Sequence, residues 1–350
     1  MNNVKAKVKI KSKLLYSIVF LVLIGILSTY IWKLNSEKRN LQNNYIDDWA
    51  IYNYGQTIEG TKGTKGIDIN ILPAWKKILP KENIIVAVVD TGIDIYANNM
   101  SNNIERNKKD TINEIDDDHN GLIDDHLGWN FYDNNNTIYE NELYDYYGTY
   151  IATTITKVNP KARIIPVKFL KSTMGTSNDA VEAISYAIKR GARIINCSWN
   201  FNEYNNVLYE VIRDNPDVLF VCSTGNRNSN IDKDLLYPCS YGLDNIINVL
   251  AIDNRGEIYE ASGYGSSTVD LGAPGVDVKV TLPNNEVALL DGTSVAAAYV
   301  SGASSLILGK YPNLSAKEVK ERIIKSATRL ETLRNHCSSG GLLNVGKSNK

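Results

Sequence analysis

A carboxylate, an amide and a hydroxyl stand at the mouths of otherwise apolar elements in this chain of 350 residues. Asp90 follows the apolar run Ile84–Val89 and precedes Thr91-Gly92. Asn226 closes the stretch Ser223-Thr224-Gly225-Asn226, and Ser294 follows Gly292-Thr293 at the head of the small-residue run Val295 to Ala298. Together these types could perform acyl transfer: a serine attacks, an asparagine amide stabilises the oxyanion, and a carboxylate orients the base that takes the serine proton. That base is the group in question. The chain holds three His; His119 and His126 lie in an acidic loop and His336 lies near the C-terminus, so each reads as a surface or loop residue. The plainer reading also accounts for the pair: serine is a natural helix N-cap, and a buried Asp can serve simply as a hydrogen-bond acceptor.

Metal chemistry is more weakly signalled. Asp116, Asp118, Asn120 and Gly121 spell the first half of a calcium loop, with Asp124 at the ninth position. The twelfth position, where a bidentate Glu belongs, is Leu127, which excludes a full EF-hand. A calcium-braced loop and a solvated acidic turn both fit, and either is structural; no cofactor is required. The four Cys show neither Cys-x-x-Cys nor mixed Cys/His spacing, and Cys197 and Cys222 read as small core residues.

The elements that must position these groups alternate. Ile84–Val89, Arg163–Phe169, Arg193–Cys197, Val218–Val221 and Ile246–Ala251 are short apolar runs of the kind buried on both faces of a parallel sheet. A helix is predicted from about Asp179 to Arg190, stopped by Gly191, and another opens on the capping pair Ser315 and Glu318 and runs to about Ala327. Alternation of this kind implies an α/β fold, an open and mostly parallel sheet with helices on both faces, whose ligands bind beyond the C-terminal ends of the strands.

Composition narrows the setting. With 38 basic and 39 acidic side chains the net charge is −1, without the basic excess of an electrostatic nucleic-acid binder, so no nucleic-acid partner is expected. Leu14–Trp32 is an uncharged stretch long enough to cross a bilayer as a helix; five Lys precede it between Lys5 and Lys13, and no acid occurs before Glu37. No small-x-small cleavage site follows the stretch, so it reads as an uncleaved signal anchor with its basic tail in the cytoplasm. The expected organisation is a cytoplasmic tail 1–13, a transmembrane anchor 14–32, a stalk and lead-in 33–66, a domain 67–345 outside the membrane and a short tail 346–350.

The motifs resemble those of the subtilisin family of serine proteases. Val86–Asp94 is similar to the segment around that family's catalytic Asp, here Asp90; Gly292–Gly302 is similar to the nucleophile segment, here Ser294; Ser223–Asn226 is similar to the stretch ending in the oxyanion Asn, here Asn226. Tyr264-Gly265 through Ala273-Pro274-Gly275 adds a fourth, and the likeness runs from about residue 67 to 345. The resemblance implies the family's three-layer α/β fold and a serine endopeptidase lineage. Where that family carries His-Gly-Thr-His, this chain has Tyr147-Gly148-Thr149-Tyr150, and a further family His is matched by Tyr299. A phenol with an ordinary pKa of about 10 keeps its proton at neutral pH, and a neighbouring carboxylate raises it further. Tyr147 is therefore expected to donate to Asp90 rather than to act as base.

The substrate-lining Ser-Leu-Gly of the family is matched by Ser198-Trp199-Asn200, where Trp199 and Asn200 are expected to obstruct a groove that also includes Gly225. Residues 33–66 leave little room for the folded propeptide usual in the family. Two readings follow: a membrane-anchored, proteolytically silent relative that binds a peptide or protein partner, an active protease paralogue being one candidate; or a serine endopeptidase using Asp90 and Ser294 with an unusual or borrowed base.

Overall fold

The computed structural model describes residues 47–77 and 81–348, with the side chain of Lys77 excepted. The anchor expected over residues 14–32 lies outside them. No helix among the described residues is long and apolar enough to cross a membrane.

In chain order, a small hairpin, β1 (Thr57–Ile58) and β2 (Thr61–Lys62), and a short helix α1 (Leu72–Lys77) lead into the main sheet. Then come β3 (Ile85–Asp90), β4 (Trp129–Asn130), α2 (Glu142–Val158), β5 (Arg163–Lys168), α3 (Ser177–Lys189), β6 (Ile194–Cys197), α4 (Asn206–Arg213), β7 (Leu219–Ser223) and β8 (Ile246–Ile252). The chain continues with β9 (Leu271–Pro274), the hairpin β10 (Val278–Thr281) and β11 (Val287–Leu290), α5 (Thr293–Lys310), α6 (Ala316–Ser326), β12 (Thr328–Arg329) and β13 (Gly341–Leu342). The main sheet has nine strands in the order β12-β13-β9-β8-β7-β6-β3-β5-β4, parallel except between β12 and β13.

Topology sets the site. The chain steps from β3 to β5 on one side, then returns to β6 on the other side of β3. Helix α2 packs against α5, whereas α3 packs against α4. The step reversal at β3 opens a crevice at the C-terminal strand ends, the usual ligand position of such sheets. Asp90 ends β3 and Ser198 follows β6, so both stand at that crevice. Helix α5 is buried along almost its whole length because Ala, Gly and Ser dominate it, which lets it lie close against β6 to β9 and α2.

The five expected strands and both expected helices are present, the latter as α3 and α6, each opened by a capping box, Thr176 with Asp179 and Ser315 with Glu318. A compact unit runs from Asp48, so part of the stretch before residue 67 packs with it. Trp49 is fully buried and its indole donates to the carbonyls of Val276 (3.0 Å) and Asp277 (3.2 Å), while Lys157 pairs with Asp48 at 2.9 Å. The short apolar segment Trp49-Ala50-Ile51 is core that polar neighbours conceal in the sequence. At the other end the packing continues through Ser348, whose carbonyl accepts from Arg322, so the expected tail belongs largely to the domain. All four Cys are buried and free.

Candidate active site

Helix α2 is pressed onto the turn after β3. A Cβ on Gly148 would lie 2.3 Å from the Gly92 carbonyl oxygen, so only glycine permits this approach. The contact is tied by Gly148 N donating to Thr91 Oγ1 (3.1 Å) and Asp94 N donating to Thr149 Oγ1 (3.0 Å). Below it, Lys168 at the end of β5 is fully buried and pairs with Asp145 (2.9 Å) and Glu140 (2.8 Å). Lys171 also pairs with Glu140 (3.0 Å), and the two cations hold its carboxyl down to about 2, chiefly through the Lys168 hydrogen bond.

Asp90 is buried, and Thr91 N donates to its Oδ1 at 2.8 Å. Burial pushes its carboxyl up to about 7, against the Thr91 amide, and the nearby Asp145 charge adds to the rise. Among the described residues no phenol donates to Asp90, so the hydrogen bond expected from Tyr147 is not formed. Tyr147 instead stacks on Tyr146, ring centres 4.1 Å apart, and the two hydroxyls are hydrogen-bonded; burial and that bond raise the Tyr146 phenol. Tyr150, one helical turn on and 3% exposed, reaches the nucleophile position: its hydroxyl is hydrogen-bonded to Ser294. Burial raises the Tyr150 phenol well above its usual range, and the neighbouring Asp90 charge raises it further.

Ser294 lies in the first turn of α5. Its Oγ donates to the Ser198 carbonyl, and Ser198 Oγ donates to the Ser294 carbonyl, each at 3.3 Å. Asn196 Nδ2 donates to Ser198 Oγ (2.8 Å) and accepts from Ser301 through Oδ1 (2.8 Å), which fixes the β6 end against α5. Asn226 is oriented by Thr293, whose N–H and hydroxyl both donate to its Oδ1 at 3.0 Å. Its Nδ2 is thus left as a donor beside Gly292, at the amino end of α5 where first-turn amides lack helical acceptors.

These residues, Asp90, Asn226 and Ser294 on an open parallel sheet, sit where motif and topology agree. A family profile described as the subtilase family, Peptidase S8, matches residues 81–340. The chain belongs to the subtilase family. Its relatives include subtilisin-like protease 1 of Plasmodium falciparum, 27% identical over 319 residues, covering 81% of this chain and 46% of the relative. The cell wall-associated protease of Bacillus subtilis is 30% identical over 308 residues, covering 83% of this chain and 31% of the relative. The chain thus spans about half or less of the length of these curated relatives. The crystal structure of a lanthipeptide protease superposes with a TM-score of 0.65 at 20% identity, covering 79% of this chain and 91% of that one, a likeness of fold.

Among the subtilase's three His, none is hydrogen-bonded to Asp90, Tyr147 or Ser294. His126 Nδ1 faces the carbonyls of Asn107 (2.9 Å) and Asp110 (3.0 Å), and His336 packs on Tyr264 with ring centres 5.4 Å apart. His119 is exposed in the acidic loop. In that loop Asp116 and Asp118 both accept from Asn120 N (3.1 and 3.2 Å), whereas Asp124 turns away to accept from the Asn113 and Glu114 amides. Among the described residues no group of three or more His, Cys, Asp or Glu is arranged to hold a metal ion.

The groove differs from its expected form. Trp199 does not obstruct it: the ring is 7% exposed, donates to the Val89 carbonyl (2.8 Å) and packs between Phe169 and Phe201, ring centres 5.0 and 5.3 Å away. An indole at the end of a buried strand gains more from the core than from the surface. Asn200 turns to the Ser223 carbonyl (2.8 Å) and lies against Gly225. Sequence reasoning missed Tyr150 as the phenol that meets Ser294; the signal was its spacing of three from Tyr147, which puts both on one helical face. It also missed Leu236, for which no motif pointed to Gly225.

Proposed function

We propose that this subtilase is a membrane-anchored, proteolytically silent member of its family that uses the groove around Ser294 to bind a peptide or protein outside the cell. The observation that carries the reading is the surroundings of the Ser294 hydroxyl. Among the described residues its hydrogen-bond partners are the Ser198 carbonyl, which is no base at neutral pH, and the Tyr150 phenol, whose pKa is raised well above the usual range by burial. Asp90, at about 7, is only partly charged near neutrality and has no imidazole to orient. Residues 14–32, with the basic tail before them, support the anchor and the orientation. An active protease paralogue is one candidate partner, since a silent relative could share its ligands.

A second reading, a serine endopeptidase with a borrowed base, is favoured by one feature: Asn226 keeps the orientation needed to stabilise an oxyanion. Fluorophosphonate labelling of the full chain in detergent, beside Ser294→Ala, separates the two. The silent reading expects both proteins unlabelled. Labelling of the parent alone means an activated serine and overturns it. Accessibility of the N-terminus and of the domain to an added protease in intact cells tests the anchor and its orientation.

A further inference from the structure

We propose that the rim of the sheet opposite the candidate site, which carries Lys76, Lys81, Lys161 and Lys310, docks on an anionic phospholipid surface and turns the groove away from it; this rests on the membrane-anchored reading above. Strand order places these lysines at one end of the sheet. Lys81 precedes β3, Lys161 precedes β5, Lys310 ends α5 and Lys76 lies in the last turn of α1. Backbone contacts join these segments: the Lys81 N–H donates to the Gly309 carbonyl (2.7 Å), and the Arg163 N–H donates to the Ile84 carbonyl (2.9 Å). The Trp75 indole donates to the Val158 carbonyl (2.9 Å), which brings α1 to the end of α2, just before Lys161.

Lys76, Lys81 and Lys161 are exposed, and carboxylates near them are already engaged: Asp48 with Lys157 (2.9 Å) and Glu105 with Arg163 (3.0 Å). Glu82 stands beside Lys81, whereas Asp214 and Asp217, before β7, lie two strands from β3. Lys310 and Arg322 both lie over the Tyr311 ring, 4.9 and 4.6 Å from its centre. That adds a half-buried aromatic of the kind that settles at headgroup level. Exposed acids stand at the opposite rim, where Asp133 follows β4, Glu142 opens α2 and Asp291 precedes α5. An anionic surface attracts the first rim and repels the second, and its pull fades within a Debye length, so only a rim lying against it is held. The chain also enters the compact unit here: Asp48, its first residue, is bonded to Lys157 in the last turn of α2. Residues 33–47 connect the expected anchor to that point, so the anchored end of the chain joins the unit beside the lysine rim.

The test is lysine footprinting of the full chain reconstituted into vesicles of phosphatidylcholine alone or of equal parts phosphatidylcholine and phosphatidylglycerol. A water-soluble acetylating ester is added outside, and the rate at each lysine is read by mass spectrometry. Lys81 and Lys161 are expected to react about tenfold more slowly on the anionic vesicles. Lys233, exposed on the loop after Asn226 at the groove end, should react at the same rate on both. Salt at about 0.5 M should remove the difference. The Lys81→Glu/Lys161→Glu variant, changed at two exposed positions, should lose the protection at Lys76 and Lys310. Equal rates on the two vesicles, or a slowing at Lys233 as large as at Lys81, overturns this proposal and leaves the anchored reading standing. Failure of the chain to float with either vesicle overturns the two together.

Discussion

The two halves of the candidate site are built to different standards. On the oxyanion side, Thr293 fixes the Asn226 amide with two hydrogen bonds, Ser198 and Ser294 exchange two more, and all of it rests on the amino end of the buried helix α5. On the base side, the backbone approach of α2 to the β3 turn is just as tight, yet the side chains it delivers are phenols that face each other and Ser294. The oxyanion side thus holds its donor in place, whereas on the base side none of the three His is hydrogen-bonded to Asp90 or Ser294. Geometry and acid–base matching are separable, and the contrast between the two sides can be tested one group at a time.

The largest expected effect comes from supplying an imidazole. Tyr147→His/Tyr150→His should label with fluorophosphonate about 10²–10⁴ times faster than the parent, the usual contribution of a positioned base. Tyr147→His alone should gain less, because Tyr150 still holds the Ser294 hydroxyl. Silence from the folded double variant would show that the base side is remodelled beyond its phenols, and would break the comparison.

Next is the support of α2. Lys168 and Asp145 are both fully buried, so Lys168→Met leaves a carboxylate without its cation and should cost about 3–5 kcal/mol in urea unfolding. The oxyanion side carries no such pair, so the loss should appear as local loosening of α2 in hydrogen exchange, with α5 protected. Equal loosening of both helices would mean that the halves are not held independently.

How much of this was legible in the sequence follows from the same contrast. Asp90, Asn226 and Ser294 were readable because each ends or opens an apolar element, and the apolar runs of a parallel sheet mark their own positions. Trp199 was misplaced because a large aromatic beside a groove motif does not declare which way it turns; the strand end at Val89 supplied the acceptor that drew it inward. Trp49 was hidden because three apolar residues in a polar stretch carry no periodicity. Leu236 and Gly225 meet only through the fold, so nothing in their local patterns links them.

A smaller effect separates Asp90 from a catalytic carboxylate by pH. Its folded pKa, about 7, lies above the unfolded value near 3.9, so between the two the folded chain binds more protons. The stabilisation from Asp90 is therefore complete below about pH 4 and is lost as pH rises through 7. A shift of about three units corresponds to at most about 4 kcal/mol. Asp90→Asn keeps an acceptor for the Thr91 amide, so it should flatten this part of the stability–pH profile and be the more stable protein at pH 8. An unchanged slope in urea midpoints between pH 5 and 8 would mean that Asp90 stays charged in the folded chain.

The smallest effect tests the contact on which the two halves meet. Tyr150→Phe removes a hydroxyl that is buried and hydrogen-bonded to Ser294, while Ser294 keeps its bond to the Ser198 carbonyl. The change should therefore cost only about 1 kcal/mol, the net value of one such bond. Fluorophosphonate labelling should stay absent, because freeing the hydroxyl does not create a base. Labelling in Tyr150→Phe, absent in Tyr150→Phe/Ser294→Ala, would mean that the phenol restrains a serine already activated by another group. The silence of the site would then lie in a steric lock on the nucleophile rather than in the lack of a proton acceptor.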